Sequence, residues 1–352
     1  MSRPDLVLVD GSSYLYRAFH ALPSLTNAAG APTGALHGVL SMINKLVREE
    51  PDALIGVVFD APGKTFRDEI FADYKANRPP MPDELRDQVQ PILDAVKAMG
   101  LPLLQVPDVE ADDVIGTLCH QAAEQGLNVL VSTGDKDMAQ LVNDRVTLVN
   151  TMSGDVMHRD EVKQKFDVYP EQIIDYLALV GDTSDNIPGV PKVGAKTAAK
   201  WLNLYASADG IVEHADEIKG KVGESLRDNI EQLRLSQQLA TIRLDVELPV
   251  PMAELKPEPP DLDGLRKLYG EFELRTLLRQ LDEEGDAAPP VDESVEGEYE
   301  TILDWKAFAK WHKKISKAPL VAVDTETTSL DYMSAEVVGI SRAVTAGEAA
   351  YI

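Results

Sequence analysis

The sequence predicts an α/β protein with a central, mostly parallel sheet, followed by a helical region and then a second, incomplete α/β fragment. Three observations carry this. Short apolar runs of strand length recur between helical stretches from residue 5 to about residue 150, the pattern of a sheet covered on both faces. From about Glu171 the pattern turns helical and stays so to Leu281. A strand-like run returns at Leu320–Thr328, after the stretch Asp282–Glu300, which is strongly acidic and holds no lysine or arginine. The expected division is therefore residues 1–170, 171–281, a solvated acidic linker at 282–300, and 301–352.

Taken in order, Asp5–Asp10 reads as a buried strand ending in an acid, and Gly11-Ser12-Ser13 leads into a helix carrying Tyr14, Arg17 and His20. Ala35–Glu50 has helical period, and Leu54–Asp60 is a second strand that again ends in an acid. Ligands of open α/β sheets bind beyond the carboxyl ends of the strands, where Asp10 and Asp60 lie. Ala61–Pro80 mixes Lys64, Arg67, Tyr74, Lys75 and Arg78 with acids and ends in Pro79-Pro80. It reads as a mobile, partly helical insertion. Either it is a substrate clamp, with Tyr74 stacking on a base and the cations meeting phosphates, or it is a solvated surface helix.

Asp83–Met99 predicts an amphipathic helix and Leu101–Val106 a third strand. Glu110-Ala111-Asp112-Asp113 opens a helix running to about Gln125. Acids at a helix start gain ~0.3–1 kcal/mol each from the helix dipole, and three are more than a cap needs. Asn128–Ser132 is a fourth strand, running into Thr133-Gly134-Asp135-Lys136-Asp137, and Arg145–Asn150 a fifth. Helices are expected at Glu171–Val180, Glu224–Ile242, Leu265–Leu281 and Thr301–Ser316, and Leu320–Thr328 is a strand with alternating acids Asp324 and Glu326.

The stretch Gly181–Lys200 joins two kinds of chemistry. Asp182 and Asp185 lie three residues apart, so on a helical segment they share one face. Two glycine turns and a run containing Lys192, Lys196 and Lys200 follow. Glycine lets backbone come close to a ligand, and a turn leading into a helix start offers free N–H groups to a phosphate.

Composition narrows the function. The chain has 352 residues, 44% of them hydrophobic, enough for a sizeable core. No apolar run is long enough for a membrane helix, and the start does not read as a signal peptide. The single cysteine, Cys119, sits in a helical pattern and suits a reducing cytoplasm. A net charge of −25 argues against nucleic acid taken by itself. The acidic linker need not approach a ligand, however, and divalent ions held by the other acids would reverse the local field.

Acids gather at strand ends and helix starts: Asp10, Asp60, Glu110, Asp112, Asp113, Asp135, Asp137, Asp182 and Asp185. A doubly wound sheet would bring them into one crevice. So many carboxylates repel one another unless some stay protonated or cations bind. Mg²⁺ or Mn²⁺ suits such a set. Zinc does not, because the six histidines are scattered and the lone cysteine forms no ligand pair. Paired magnesium ions ~4 Å apart serve in-line displacement at phosphorus. Alternatives are a non-catalytic DNA-binding module, a phosphatase with Asp10 as nucleophile, and a Ca²⁺-binding protein. The phosphatase would want a second acid where Ser12 stands, and calcium binding leaves Lys192, Lys196 and Lys200 unexplained.

The order Asp10, Asp60, Glu110-Ala-Asp112-Asp113, Gly-Asp135-Lys-Asp137, Gly-Asp182-Thr-Ser-Asp185-Asn-Ile-Pro-Gly-Val and Gly-Ala-Lys-Thr-Ala resembles the 5′-nuclease (flap endonuclease) domain family of bacterial DNA polymerase I, over roughly residues 5–281. The resemblance implies a PIN-like catalytic domain at 1–170 whose acids hold two or more divalent ions. It implies a DNA-binding subdomain at 171–281, with a helix–three-turn–helix in which Gly189, Val190, Lys192, Val193, Gly194, Lys196, Thr197 and Lys200 grip duplex backbone and K⁺ binds at the hairpin. Ala61–Pro80 would be a helical arch for the 5′ strand, and Arg17, Tyr74, Lys75 and Arg78 would steer the scissile phosphate. The substrate would be DNA with a 5′ flap, nick or RNA primer, acted on by a monomer in the bacterial cytoplasm at the nucleoid. The last segment resembles the beginning of a 3′–5′ exonuclease domain, with Asp324 and Glu326 matching its first metal-ligand pair. The sequence stops about 30 residues into that fold, so neither proofreading nor polymerase activity is expected of this chain.

Overall fold

The computed structural model describes residues 3–285, 298–328, 336–345 and 348–352. The chain divides into two compact units, 1–285 and 286–352. Most of the expected linker, residues 286–297, lies outside the described residues.

The first unit is built on six strands: β1 (Leu6–Asp10), β2 (Leu54–Val58), β3 (Leu103–Leu104), β4 (Val129–Ser132), β5 (Val146–Asn150) and β6 (Asp155–Met157). Their order across the sheet is β3-β2-β1-β4-β5-β6, with β1 to β5 parallel and β6 antiparallel to β5. Connections leave β1 in both directions, so a topological switch point lies between β1 and β4, where such sheets bind ligands. β1 is buried at every residue. Leu6 and Leu8 face one core and Val7 and Val9 the other, as the two-residue period of a strand requires.

The face of Val7 and Val9 is covered by α1 (Gly11–Ala21), α2 (Gly34–Glu49) and, after the short α3 (Phe66–Ile70), by α4 (Asp83–Ala98). The opposite face is covered by α5 (Ala111–Glu124). Beyond β6 come α6 (Arg159–Phe166), α7 (Ile173–Val180), α8 (Ala195–Tyr205), α9 (Ala208–Glu213), α10 (Gly220–Asp228) and α11 (Ile230–Ala240). Their apolar side chains belong to the same core as Leu6, Leu8 and α5, so packing is continuous from the sheet into the helical region. α12 (Leu262–Glu271) and α13 (Arg275–Gly285) return to the α4 side, through Leu265, Tyr269, Leu274 and Leu277.

Several expected elements change in ways that local chemistry explains. The third strand shrinks to two residues because Pro102 and Pro107 bracket it and lack N–H donors. The helix expected over Glu224–Ile242 is two, broken at Asn229, whose side-chain amide donates to the Ser225 carbonyl at 2.7 Å. That expected over Leu265–Leu281 is also two, separated by a turn with Glu273 at φ 53°. The strand β6 is largely exposed and gives no apolar signal.

The α7–α8 connection depends on two glycines. Gly181 and Gly189 both have positive φ, 77° and 60°, and their backbones touch. A Cβ on Gly189 would lie 2.4 Å from the Gly181 nitrogen.

The second unit holds β7 (Glu298–Thr301), α14 (Trp305–Ile315), β8 (Ala322–Thr327), β9 (Val337–Thr345) and β10 (Glu348–Tyr351), in the sheet order β7-β10-β9-β8. The helix expected from Thr301 starts at Trp305, capped by Asp304, and a strand precedes it. Asp324 and Glu326 sit on exposed β8, two residues apart on one face.

Gly189→Ala should destabilise the first unit by on the order of 1–3 kcal/mol, from strain at a positive φ and the backbone clash. Urea unfolding measures it, and an unchanged midpoint would contradict the reading of this turn.

Candidate active site

The carboxyl ends of the strands open into a cleft of about 810 Å³ whose lining includes Asp10, Asp60, Glu110, Asp112, Asp135 and Asp185, with Arg17, Lys75, Arg78 and Lys136 among them. Each acid is held by local structure. Asp10 ends β1 and caps α1, accepting from the Ser13 N–H at 2.9 Å and the Thr133 hydroxyl at 2.7 Å. Asp60, two residues past β2, accepts from the Ala111 N–H at 2.8 Å, which ties it to the start of α5. Glu110 caps α5 in a reciprocal box with Asp113. Asp112 lines the cleft from the first turn of α5, and Asp135 follows β4 and accepts from the Asp137 N–H at 2.9 Å.

The electrostatics of the cleft reflect this crowding. Desolvation pushes Asp10 up to about 7, with Asp135 and Asp60 adding to it against the Ser13 and Thr133 hydrogen bonds. Desolvation and then Asp135 raise Asp137 to about 8. Asp112 stands well above the usual carboxylate range through desolvation and the charges of Asp135, Asp10 and Glu110. Asp135 is raised chiefly by desolvation. Asp182 goes the other way: burial opposes its charge, but Lys136 at 2.6 Å and Ser184 hold it ionised.

The segment 61–80 lies down on this cleft. It carries only the five-residue α3, and its Tyr74 is 5% exposed, inside the core. Tyr74 is therefore no open stacking platform. Its hydroxyl donates toward Glu110 and Asp185, each at 3.2 Å. Lys75 Nζ meets Glu110 at 2.6 Å, and Arg78 pairs with Asp185. Backbone bonds fasten the segment further: the Lys75 N–H donates to the Asp185 carbonyl, and the Asn186 amide to that of Asp73. Arg17 donates to the Asn150 side chain at 2.8 Å and packs over Gly134, where a Cβ would sit 2.3 Å from its guanidinium.

Three expected ligands do not line the cleft. Asp113 is fully buried and both its oxygens are taken by Arg67, at 2.7 and 2.8 Å. It is an ion-pair partner and is corrected out of the metal set. Asp137 and Asp182 lie beside the cleft on the Asp135 side, where the charge of Asp182 adds to the raised proton affinity of Asp137. The hairpin also divides. Val190 and Val193 are buried core residues, and the Val190 N–H donates to Leu179. The Gly189 N–H donates to Ser236 and its carbonyl accepts from Gln232. The buried side chains of Val190 and Val193 and the bonded backbone of Gly189 shape the turn. Lys192, Gly194, Lys196 and Lys200 are exposed and Thr197 partly so, and α8 starts after Gly194 without a side-chain cap.

Among the described residues no three His, Cys, Asp or Glu side chains converge as they stand into a ready ion cage. The donor set nevertheless fits a hard divalent ion. It is all carboxylate, burial raises the proton affinity of Asp10, Asp112, Asp135 and Asp137, and the buried Oδ1 of Asp137 has no hydrogen-bond partner. The cations now on Glu110 and Asp185 would have to yield. Sequence reading missed Lys136 and Thr133 as partners of Asp182 and Asp10, although Lys136 stands between two singled-out acids.

An acid-lined cleft at the switch point of a parallel sheet, followed by a lysine-bearing helical hairpin, defines a 5′-nuclease type of α/β fold. Residues 5–167 match the model of the 5′-3′ exonuclease N-terminal resolvase-like domain, residues 168–263 the 5′-3′ exonuclease C-terminal SAM fold, and residues 299–352 a 3′-5′ exonuclease. The chain is 40% identical to a 5′-3′ exonuclease of Aquifex aeolicus, over 79% of this chain and 95% of that one. It belongs to the 5′-3′ exonuclease family. It is also 53% identical, along its full length, to DNA polymerase I of Pseudomonas aeruginosa, of which it spans 40%. Among solved structures, T5 5′-exonuclease with divalent metal ions (zinc) bound shares the fold with a TM-score of 0.58 at 20% identity, over 79% of this chain and 98% of that one. The catalytic core of Rad2 in complex with DNA substrate gives 0.52 at 15% identity, over 79% and 93%.

The raised acids predict a pH dependence. Asp10 and Asp137 are shifted above the ordinary 3.8, so their contribution to stability is full below that value. It is lost as pH rises through about 7 and about 8. In EDTA the melting temperature should fall across that window, and Asp10→Asn should flatten its lower part. A flat profile for the unaltered chain would contradict these environments.

Proposed function

We propose that the cleft hydrolyses phosphodiester bonds at the 5′ end of DNA strands, acting as a structure-specific 5′–3′ exonuclease and flap endonuclease with Mg²⁺ or Mn²⁺. One observation carries this reading: carboxylates from five separate chain segments line one cleft, and the segment bearing Asp185 runs directly into the Lys192–Lys200 hairpin.

The ligands would be drawn from Asp10, Asp60, Glu110, Asp112, Asp135 and Asp185, with Asp137 and Asp182 completing the set on the Asp135 side. Divalent ions bound there would acidify a water and stabilise charge on the leaving oxygen. The rest falls to the chain's own groups. Lys75, Arg78 and Arg17 are positioned to meet phosphate oxygens once substrate competes for them, and Tyr74 holds Glu110 and Asp185 at a fixed spacing. Lys192, Lys196, Thr197 and Lys200, with the uncapped start of α8, would contact duplex backbone without reading bases. K⁺ at the hairpin would add to that grip.

Substrates would be 5′ flaps, nicks and RNA primers, handled by a monomer in the bacterial cytoplasm at the nucleoid, as part of a DNA polymerase I in replication and repair. No helix among the described residues is long and apolar enough to cross a membrane. Asp324 and Glu326 would be the first acids of a second, 3′–5′ nuclease site.

A 5′-flap duplex should be cut with Mg²⁺ and left intact with EDTA. Asp135→Ala should lower cleavage by more than the roughly 10–100-fold typical of residues behind a metal ligand, with DNA affinity in EDTA retained. Near-normal turnover would sink the site assignment. Lys196→Ala should weaken binding to all sequences and reduce the slope of log K against log salt by ~1; an unchanged slope would leave Lys196 a surface residue.

A further inference from the structure

The buried pair Arg67–Asp113 has no part in the chemistry just described, yet it joins the start of α5 to the end of α11. Arg67 is 2% exposed, although it stands on the short α3. Its guanidinium donates to both oxygens of Asp113, to the Leu239 carbonyl at 2.9 Å and to the Thr241 carbonyl at 2.9 Å. Asp113 in turn accepts the Glu110 N–H at 3.0 Å and the Arg243 N–H at 2.9 Å. A planar, bidentate fork of this kind fixes orientation as well as distance.

Both sides of the pair lead to the functional groups. On one side, Asp113 closes the capping box of α5, so it sets the backbone from which Glu110 and Asp112 enter the cleft. On the other, Leu239 and Thr241 end α11, the helix whose Gln232 and Ser236 hold both backbone groups of Gly189. A continuous chain of bonds therefore runs from the Gly189 hairpin along α11 to Arg67, Asp113 and Glu110.

We propose that Arg67 and Asp113 are positioning residues that set the distance between the duplex-gripping hairpin and the acids of the cleft, and so select which phosphodiester is cut. This rests on the nuclease reading above. Replacing one partner strands a buried charge, whereas an apolar pair of similar size is often tolerated. The test therefore uses the whole chain carrying Arg67→Met with Asp113→Leu, and separately Asp113→Asn, which keeps the shape and removes the charge.

Four quantities are read: the melting temperature, flap-duplex affinity in EDTA, Mn²⁺ binding by calorimetry without DNA, and product positions at single-nucleotide resolution in Mg²⁺. The expected result is a folded protein with unchanged DNA affinity and Mn²⁺ binding weakened about tenfold, the lower end for groups behind a ligand. Its products should spread to bonds neighbouring the wild-type cut. A folded variant with wild-type Mn²⁺ affinity and the wild-type product would overturn the proposal, even if it melted earlier, since that is all a purely structural pair would do. Should the double variant not fold, Asp113→Asn decides by the same readouts. A wild-type chain inert on DNA would instead sink the nuclease reading, and the Mn²⁺ measurement would still judge the pair.

Discussion

Mutual repulsion among carboxylates at the ends of parallel strands is the constraint around which this molecule is arranged. The sheet order alone places Asp10, Asp60 and Asp135 beyond β1, β2 and β4, and α5 adds Glu110 and Asp112 from its first turn. The chain answers that repulsion in two ways. Some acids have their proton affinity raised, as Asp10 and Asp137 do. Others are met by Lys75, Arg78 and Lys136. The segment 61–80 is thus held down by the charges it would have to release for metal and substrate to enter.

Net charge takes on a local meaning in this light. A chain at −25 is a poor partner for DNA as a whole. Part of the acid lies in the stretch after α13, and part in the cleft, where bound cations would invert the field. The lysines of the α7–α8 hairpin and α8 remain exposed. Gly181 and Gly189 make that hairpin compact enough for α11 to hold it by backbone groups, so the cation-bearing turn and the acid cleft belong to one packed body.

What the sequence made legible follows from how far each signal reaches. β1 and β2 are apolar runs ending in acids, and their role could be read locally. The Gly181–Lys200 segment carried its turns in its glycines. Partners distant in the chain could not be read. Asp113 looks the same as Asp112 in sequence, and only the arrival of Arg67, 46 residues earlier, removes it from the cleft. Val190 and Val193 sit in a turn that reads as ligand-facing, but the turn folds inward and buries them. Tyr74 had the composition of a stacking residue, and the core took it. β6 was silent because an exposed three-residue edge strand has no apolar alternation.

The most direct test of the central claim is anomalous diffraction from crystals grown with Mn²⁺. The account predicts peaks about 2.0–2.2 Å from carboxylate oxygens, the distance small hard cations keep, among Glu110, Asp112, Asp135 and their neighbours, with Lys75 Nζ withdrawn from Glu110. Peaks confined to the molecule's outer surface, with the Lys75–Glu110 contact intact at saturating Mn²⁺, would contradict it.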